Sequence, residues 1–232
     1  MPEKIIGVLG GMGPAATVDI FQKILMANPC HTDQEQLRII IDCNSKIPDR
    51  TQFILHNGPD PLPYLRDSAE KLEKSGADLI IIPCNAAHYF HAHIQDHVNI
   101  PVMNIMKATF DYMAKKYPSV KKIGLLAATS TIQVGLYQKI FEENGINIIT
   151  PDQEYQEDVM SVIFDHVKKG NIGEEARKMI RDAGKNLISK GAQAVIAGCT
   201  EIPLVLEDGD LDVPVVDATD ALAKMAVKLA LG

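Results

Sequence analysis

Two cysteines occupy matching places in two similar stretches of this sequence. One stretch, GADLIIIPC, runs from Gly76 to Cys84, and the other, GAQAVIAGC, runs from Gly191 to Cys199. Each contains a short apolar run of the kind that forms a buried strand, with the cysteine at its carboxyl end. Two thiols that face one carbon from opposite sides suit the removal of a proton from one face and its return to the other, which inverts a stereocentre.

The elements that must position these cysteines alternate between short β-branched runs and longer helical patterns, which favours a parallel α/β sheet. The predicted strands are residues 4–9, 37–42, 78–83, 100–103, 121–126, 146–149, 193–197 and 213–216. The predicted helices are residues 14–27, 60–75, 86–96, 104–116, 131–144, 152–169, 173–190 and 218–230. Both cysteines are expected beside a crevice, since binding crevices lie beyond the carboxyl ends of parallel strands. A helix N-terminus after each cysteine is expected to lower the pKa of the thiol.

The two halves of the chain share further landmarks. The run IGVL at 6–9 resembles IGLL at 123–126, and IPV at 100–102 resembles VPV at 213–215. Landmarks in the same order at nearly constant spacing indicate a duplicated unit. The chain is therefore predicted to form two pseudo-symmetric, doubly wound parallel-sheet lobes with the active site between them. The predicted domains are an N-terminal α/β lobe of residues 1–102 plus 215–232 and a C-terminal α/β lobe of residues 103–214.

Composition and charge restrict the class of protein. The 232 residues include 46% hydrophobic and 23% charged residues, as is ordinary for a soluble globular protein. A net charge of -7 argues against nucleic acid as a partner, because binding phosphates needs a basic surface. We expect no signal peptide and no membrane partner, since no apolar run approaches the roughly 20 residues that span a bilayer.

Cysteine usage indicates the compartment. Four cysteines are too few for a disulfide scaffold in a chain of this length, so a cytoplasmic protein with free thiols is the simplest interpretation. Cys30 and Cys43 have no match in the other half of the chain. We interpret these two as structural residues.

Four short motifs stand in order along the chain, namely GGMGP at 10–14, NSKIPDRT at 44–51, PCNAAH at 83–88 and GCTE at 198–201. Together they resemble the aspartate/glutamate racemase family over essentially the whole chain, with the aspartate racemase branch the most similar. The glutamate racemase branch typically has Asp-Ser-Gly after the first strand and Cys-Thr-His at the second cysteine, where this chain has Gly-Gly-Met and Cys-Thr-Glu.

The resemblance implies an isomerase of amino acids that is independent of PLP and uses no other cofactor and no metal. Cys84 and Cys199 would be its acid/base pair. It also implies a homodimer whose small-molecule substrate is an acidic amino acid, aspartate first and glutamate second.

The residues beside the cysteines are candidates for holding the substrate. The α-carboxylate is expected to bind backbone amides and polar side chains just after each cysteine, with Asn85 and Thr200 as donors. Ala86 departs from the family pattern Pro-Cys-Asn-Thr-Ala-His, which often places a hydroxyl beside the substrate at this position. In the second half, Thr129 and Thr131 follow the strand 121–126 in the place that Met12 takes in the first half.

A side-chain carboxylate on the substrate needs its own cation. Arg50 in the DRT motif is the first candidate, because a guanidinium can bind a carboxylate with two hydrogen bonds. Lys168, at the end of the predicted helix 152–169, is the second candidate, and the resemblance implies both roles. From spacing alone, a solvated surface charge is the favoured interpretation of either residue, and the neighbouring Lys169 competes with Lys168.

Other interpretations stay open at this point. The sequence GMGPAA at 11–16 fits a dinucleotide fingerprint, and Asp42 ends the second strand, but the spacing between them is longer than usual and a dehydrogenase leaves the paired cysteines unexplained. The histidines at 88, 91, 93 and 97 favour a surface helix over a metal site, since their two helical pairs do not share a face. An amino-acid-binding or sensor protein, or a related diacid isomerase or decarboxylase, could use the same architecture.

Overall fold

The structure of the protein, a computed structural model, describes residues 3–232. The strands of this part of the chain are β1 Ile6–Gly10, β2 Ile39–Cys43, β3 Leu79–Ile81, β4 Lys122–Leu126, β5 Asn147–Ile149, β6 Ala194–Ala197 and β7 Val215–Asp217. Its α-helices are α1 Pro14–Ala27, α2 Arg50–His56, α3 Leu62–Lys74, α4 His91–Gln95, α5 Ile105–Lys116, α6 Thr129–Gln133, α7 Leu136–Glu142, α8 Gln153–Ser161, α9 Glu174–Ser189 and α10 Ala218–Leu231.

The strands form two parallel sheets with the same strand order. One sheet has the order β2-β1-β3, and the other has the order β5-β4-β6-β7. The predicted strand 100–103 is only an isolated parallel bridge between Ile80 and Val102. Pro101, which has no N–H to donate, stops this pairing from extending towards the amino end. If this bridge is counted as the fourth strand of the first sheet, in the position that β7 takes in the second sheet, the strands of both sheets lie in the order second, first, third, fourth along the chain. The two-lobed α/β fold class is therefore confirmed.

The chain divides into two compact units, each of which contains one sheet. Unit 1 comprises the chain up to Ala108 together with Thr219–Gly232, and unit 2 comprises Thr109–Ala218. The boundaries predicted from the sequence, after residues 102 and 214, lie a few residues before the two points at which the chain passes from one unit to the other. As a statement about independently folding domains, they stay a prediction.

The repeated Ile-Gly pair has a packing reason in both units. A Cβ atom on Gly7 of β1 would lie 2.9 Å from the Cβ of Ala77, and one on Gly124 of β4 would lie 2.9 Å from the Cβ of Leu187. Such distances are shorter than side-chain atoms tolerate. Glycine therefore lets the chain segment that leads into each cysteine strand pack closely on the first strand of its sheet.

Several helices differ from the prediction. The segment 86–96 is a 3₁₀ turn, Ala86–Phe90, followed by α4, and the segment 131–144 divides at Gly135, whose positive φ of 67° separates α6 from α7. The segment 152–169 consists of α8, a π turn at Val162–His166 and a 3₁₀ turn at Val167–Lys169. The sequence of this last segment does not explain its changes from α-helix to π turn and then to 3₁₀ turn.

Helix α2 was not predicted, although its sequence contains a helix-start signal. The side chain of Asp49 caps the helix by accepting a hydrogen bond from the amide of Gln52 at 2.8 Å. An N-cap aspartate followed three residues later by glutamine is the pattern of a capping box. Asn57, in the left-handed conformation, ends the helix after only two turns.

Candidate active site

Cys84 lies three residues beyond β3, at the carboxyl end of the first sheet. Its side chain is buried in the same apolar cluster as Met12 and Ala86, so the fold brings these three predicted site residues together. Asn85 begins the 3₁₀ turn after the cysteine and is also buried. The positive end of a full helix, which was expected after Cys84, is absent there, because this turn spans only Ala86–Phe90.

His88 fixes the main chain at Cys84. Its Nε2 atom accepts a hydrogen bond from the amide of Ile105 at 3.1 Å, so Nε2 carries no hydrogen. Nδ1 therefore carries the hydrogen and donates it to the carbonyl of Cys84 at 2.9 Å. Burial lowers the pKa of this imidazole to about 4, so the ring is neutral at physiological pH. The neutral side chain of His88 thus connects the main chain at Cys84 to the start of α5 through two hydrogen bonds.

We expect His88 to make the stability of the protein depend on pH. The imidazole binds a proton more weakly in the folded chain than in the unfolded chain, so unfolding takes up a proton between pH 6.5 and about 4. The stabilisation that comes from the neutral ring is therefore present above pH 6.5 and is lost as the pH falls through this window. The loss amounts to roughly 3 kcal/mol.

Urea denaturation of the wild type and of His88→Asn at pH 7 and at pH 4.5 measures this contribution. Asparagine keeps a donor near the Nδ1 position without a titrating group. The free energy of unfolding should fall more between the two pH values in the wild type than in the variant. Equal losses in both proteins would contradict the assignment.

Arg50 is a buried cation rather than a solvated surface charge. It is the first residue of α2 and is only 7% exposed. Its guanidinium donates to the carbonyl of Pro48 at 3.0 Å and to the carbonyl of Met12 at 3.2 Å. Gly11 lets the loop after β1 lie close to the residue that follows β2, because a Cβ atom there would lie 2.3 Å from the main chain of Asn44. The loop after β1 and the DRT motif are therefore joined through Arg50.

Cys199 lies two residues beyond β6, at the equivalent point of the second sheet. Its Sγ atom donates a hydrogen bond to Oε2 of Glu201 at 2.9 Å, and the hydroxyl of Thr200 donates to the same oxygen at 3.2 Å. Thr200 and Glu201 are both buried. The predicted site residue Thr200 is thus held against a carboxylate, and the role of Glu201 was missed in the sequence, where only its difference from the Cys-Thr-His pattern was noticed.

The expectation that Cys199 has a lowered pKa is wrong. Burial is the first cause that raises the pKa of this thiol well above its ordinary value, and the negative charge of Glu201 is the second. Lys168 acts in the opposite direction but does not compensate. The segment after Cys199 is a 3₁₀ turn of three residues, Ile202–Leu204, which is too short to supply a helix dipole. Cys199 is therefore a protonated thiol at neutral pH.

The structure distinguishes between the two neighbouring lysines. Lys169 forms an exposed ion pair with Asp165 at 2.8 Å. Lys168 places its Nζ atom 3.9 Å from the centre of the Phe164 ring, and its charge influences the thiol of Cys199. Because the interaction with Cys199 is electrostatic, Lys168 is the better candidate for a cation beside the second cysteine.

Thr129 and Thr131 lie in α6, directly after β4. The hydroxyl of Thr129 accepts a hydrogen bond from Nε2 of Gln156 at 3.2 Å, and the amide of Thr129 donates to Sδ of Met160 at 3.2 Å. The hydroxyl of Thr131 is buried and has no hydrogen-bond partner within residues 3–232. A buried hydroxyl in this state is available to a ligand.

Tyr137 is a further polar residue of unit 2 that the sequence did not indicate. Its side chain is fully buried, and burial raises the pKa of the phenol, with the charge of Asp217 and the thiol of Cys199 acting in the same direction. Neither its spacing nor its surroundings in the sequence distinguish this tyrosine from a core residue. A neutral hydroxyl near Cys199 is thus a feature that only the fold creates.

The remaining cysteines and histidines do not form a second centre. All four cysteines are free, and Cys43 is exposed at the end of β2, which contradicts a buried structural role. Within residues 3–232, no three His, Cys, Asp or Glu side chains are placed to hold a metal ion. His91 instead donates through Nε2 to the carbonyl of Val102 at 2.8 Å. His88 therefore holds the main chain at Cys84, and His91 holds the main chain at Val102.

These features agree with the comparisons with known proteins. The model of the Asp/Glu/Hydantoin racemase family matches residues 9–226, so the chain belongs to this racemase family. Members of this family act on small amino-acid substrates. The Broad specificity amino-acid racemase RacX of Bacillus subtilis (strain 168) is 28% identical over 236 residues, which is 96% of this chain and 96% of that protein.

Solved structures show the same fold. The Picrophilus torridus aspartate racemase superposes with a TM-score of 0.88 at 29% identity, over 98% of this chain and 94% of that chain. An aspartate racemase homologue from Pyrococcus horikoshii OT3 superposes with a TM-score of 0.80 at 29% identity, over 99% and 100% of the two chains. The glutamate racemase from Francisella tularensis subsp. tularensis SCHU S4 reaches 0.71 at 19% identity, over 100% and 82%, and shows the fold alone.

Between residues 3 and 232, every helix is too short or too polar to cross a membrane.

Proposed function

We propose that this protein interconverts L- and D-aspartate, with glutamate as a second substrate, and that it needs neither PLP nor another cofactor. Cys84 and Cys199 are the two catalytic groups. One observation supports the proposal most strongly: two sheets of the same strand order each carry a cysteine just beyond the equivalent strand, β3 in one unit and β6 in the other. A single structural cysteine gives no reason for such a match.

The proposed reaction removes a proton from one side of the α-carbon and returns a proton to the other side. The thiolate of one cysteine takes the α-proton, so a C–H bond breaks, an S–H bond forms and the electron pair stays on the carbon. The thiol of the other cysteine then gives its proton to the opposite face and becomes a thiolate. The product is the mirror image of the substrate. Proton exchange with water restores the starting protonation of the two sulfurs, or the enzyme converts the opposite enantiomer directly.

The carboxylates of the substrate are proposed to bind to separate groups. The buried Arg50 receives the side-chain carboxylate, and Lys168 supplies a second positive charge near Cys199. The side chain of Asn85 and the backbone amide of Thr200, each adjacent to a cysteine, receive the α-carboxylate, since the hydroxyl of Thr200 already donates to Glu201. The positive charges of Arg50 and Lys168 also stabilise the negative charge that develops when the α-proton leaves.

Other side chains of the proposed site determine its shape. Met12 and Ala86 share the buried cluster with Cys84, and the small Ala86 leaves room where the family often has a hydroxyl. Thr129 and the unpartnered hydroxyl of Thr131 supply hydrogen bonds in unit 2. A pocket with fewer fixed polar groups discriminates less between side chains, so activity on amino acids other than aspartate is a natural part of the same proposal.

Incubation of the purified protein with L-aspartate in heavy water tests the function. Optical rotation should decay to zero, and proton NMR should show that deuterium enters the Cα position of the product enantiomer. A panel with glutamate, alanine and serine measures the substrate range. Binding without exchange of the α-proton would indicate an amino-acid sensor, and a change of carbon skeleton or double bond would indicate a diacid decarboxylase or isomerase.

Two further expectations belong to the same proposal. The homodimer that the family resemblance implies can be measured by light scattering of the purified protein. A cytoplasmic location, for which free thiols were the argument, can be measured by cell fractionation.

A further inference from the structure

The two cysteines have different residues at the second position after them. In unit 2 this residue is Glu201, whose buried carboxylate accepts the hydrogen bond from the sulfur of Cys199. In unit 1 the equivalent residue is Ala86, which has no polar group. The imidazole nearest to Cys84 donates to the backbone carbonyl of Cys84 and not to the sulfur. Only one cysteine of the pair is therefore hydrogen-bonded to an acid within its own unit.

This carboxylate creates an electrostatic difficulty for a two-base reaction. Cys199 must become a thiolate to take a proton from the substrate, yet a thiolate at 2.9 Å from the Glu201 carboxylate would place two negative charges side by side. Burial adds to the difficulty, since the effective dielectric constant around the two groups is lower than that of water. The charges cannot coexist at this distance without a proton between them.

We propose that Cys199 and Glu201 act as one proton-holding pair, which carries a single proton when its sulfur waits to accept the substrate proton and two protons afterwards. This inference rests on the proposed racemase function and adds Glu201 to its catalytic residues. In the waiting state, the thiol proton moves to the carboxylate and leaves the sulfur as the base. The pair keeps one negative charge in this state instead of two.

The protons balance over a full turnover. The sulfur of Cys199 takes the α-proton while Glu201 holds the first proton, so the pair becomes neutral. Cys84 gives its own proton to the opposite face and becomes the thiolate. In the reverse turnover, Cys84 takes a proton, the sulfur of Cys199 gives one, and the pair returns to its single proton. Exchange of these protons with water returns one proton to Cys84 and removes one from the pair, so that a second turnover in the same direction can begin. No oxidant or reductant is needed.

The other charged groups near Cys199 are compatible with this pair. Lys168 favours the negative charge of the pair, and the phenol of Tyr137 lies close enough to Cys199 to interact with it electrostatically. The hydroxyl of Thr200 donates to the same Oε2 atom as the thiol, which holds that oxygen in place. Glu201 is thus oriented towards the sulfur by a second, independent hydrogen bond.

Alkylation of Cys199 tests the pair without using the racemase activity. The wild type and Glu201→Gln are treated with iodoacetamide between pH 6 and pH 10, and the modified Cys199 peptide is quantified by mass spectrometry. Glutamine keeps the shape of the side chain and removes its charge. We expect the midpoint of alkylation to fall by about one pH unit in the variant, which makes Cys199 about tenfold more reactive at pH 8.

The same variant should be a worse racemase, although its thiol is more reactive. Without a carboxylate to hold the first proton, the rate of aspartate racemisation should fall about 30-fold. Glu201→Asp keeps the charge and should leave the alkylation midpoint near that of the wild type, and it keeps the test available if the glutamine variant does not fold. Glu207→Gln, a change at an exposed acid of the same unit, is the matched control and should change neither measurement.

Two results would overturn the pair. One is an alkylation midpoint of Cys199 that is the same in the wild type and in Glu201→Gln. The other is a racemisation rate that stays within a factor of two of the wild type when the midpoint has shifted. If the wild type does not racemise any amino acid but the midpoint shifts as expected, the proposed function fails, and the proton-sharing of the two side chains is supported on its own.

Discussion

Replacing either Cys84 or Cys199 with alanine is expected to abolish racemisation of aspartate in both directions. Each face of the α-carbon needs its own proton donor and acceptor, so the loss of one sulfur stops turnover of both enantiomers. Acid–base groups contribute factors of about 100 to 10,000 each, and we expect a loss of at least about 1,000-fold. Polarimetry with each pure enantiomer measures both directions.

The equilibrium constant between the two enantiomers fixes the ratio of kcat/KM for the two directions of the reaction. Because that constant is one, kcat/KM must fall by the same factor for L- and D-aspartate in every variant. Cys43→Ala is the control, since Cys43 is exposed at the end of β2 and should leave turnover unchanged. A variant of Cys84 or Cys199 that keeps a tenth of the wild-type activity would show that the reaction does not need two sulfur bases.

Arg50→Ala is expected to remove activity on acidic amino acids selectively. A buried charge partner of a substrate carboxylate contributes several kcal/mol, so kcat/KM for aspartate should fall between about 100-fold and 1,000-fold. Neutral amino acids place no carboxylate there and should lose much less. The ratio of kcat/KM for aspartate and alanine is therefore the quantity to measure, because it changes only if Arg50 contacts the side chain of the substrate.

The control must separate binding from folding. The guanidinium of Arg50 also donates to the carbonyls of Met12 and Pro48, so its removal destabilises the loop after β1. Arg50→Lys keeps the charge and tests the geometry, and thermal unfolding of each variant measures the structural loss. Arg38→Ala changes an exposed arginine and should affect neither substrate. An equal loss of activity on aspartate and alanine would mean that Arg50 serves the fold alone.

The alternation of apolar runs was sufficient to predict the architecture. Helix α1 was predicted with its observed bounds, and β4 was predicted to within one residue, since both have strong local patterns. The segment 100–103 was predicted as a strand and is only a bridge at Val102, because an apolar pattern does not show how many of its residues pair with a neighbouring strand. The capping residue Asp49 is recognisable in the sequence and marks the start of α2, which the apolar pattern alone does not predict.

The electrostatics of the site could not be predicted in the same way. The pKa of Cys199 depends on burial and on how the Glu201 side chain turns back towards the sulfur, and both are consequences of tertiary packing. The burial of Arg50 likewise depends on the close approach of the loop after β1 at Gly11. Local patterns give the positions of chemical groups along the chain, whereas the shift of a pKa requires the surroundings of each group in space.

The contrast between Ala86 and Glu201 has an evolutionary consequence. A half-length ancestor that assembled with its own copy would have presented the same residue on both sides of its ligand, acid or methyl group alike. Two copies encoded in one chain can mutate separately, whereas a symmetric dimer of half-length chains carries every change twice. An acid beside one cysteine and a methyl group beside the other is therefore open to a duplicated chain and closed to such a dimer.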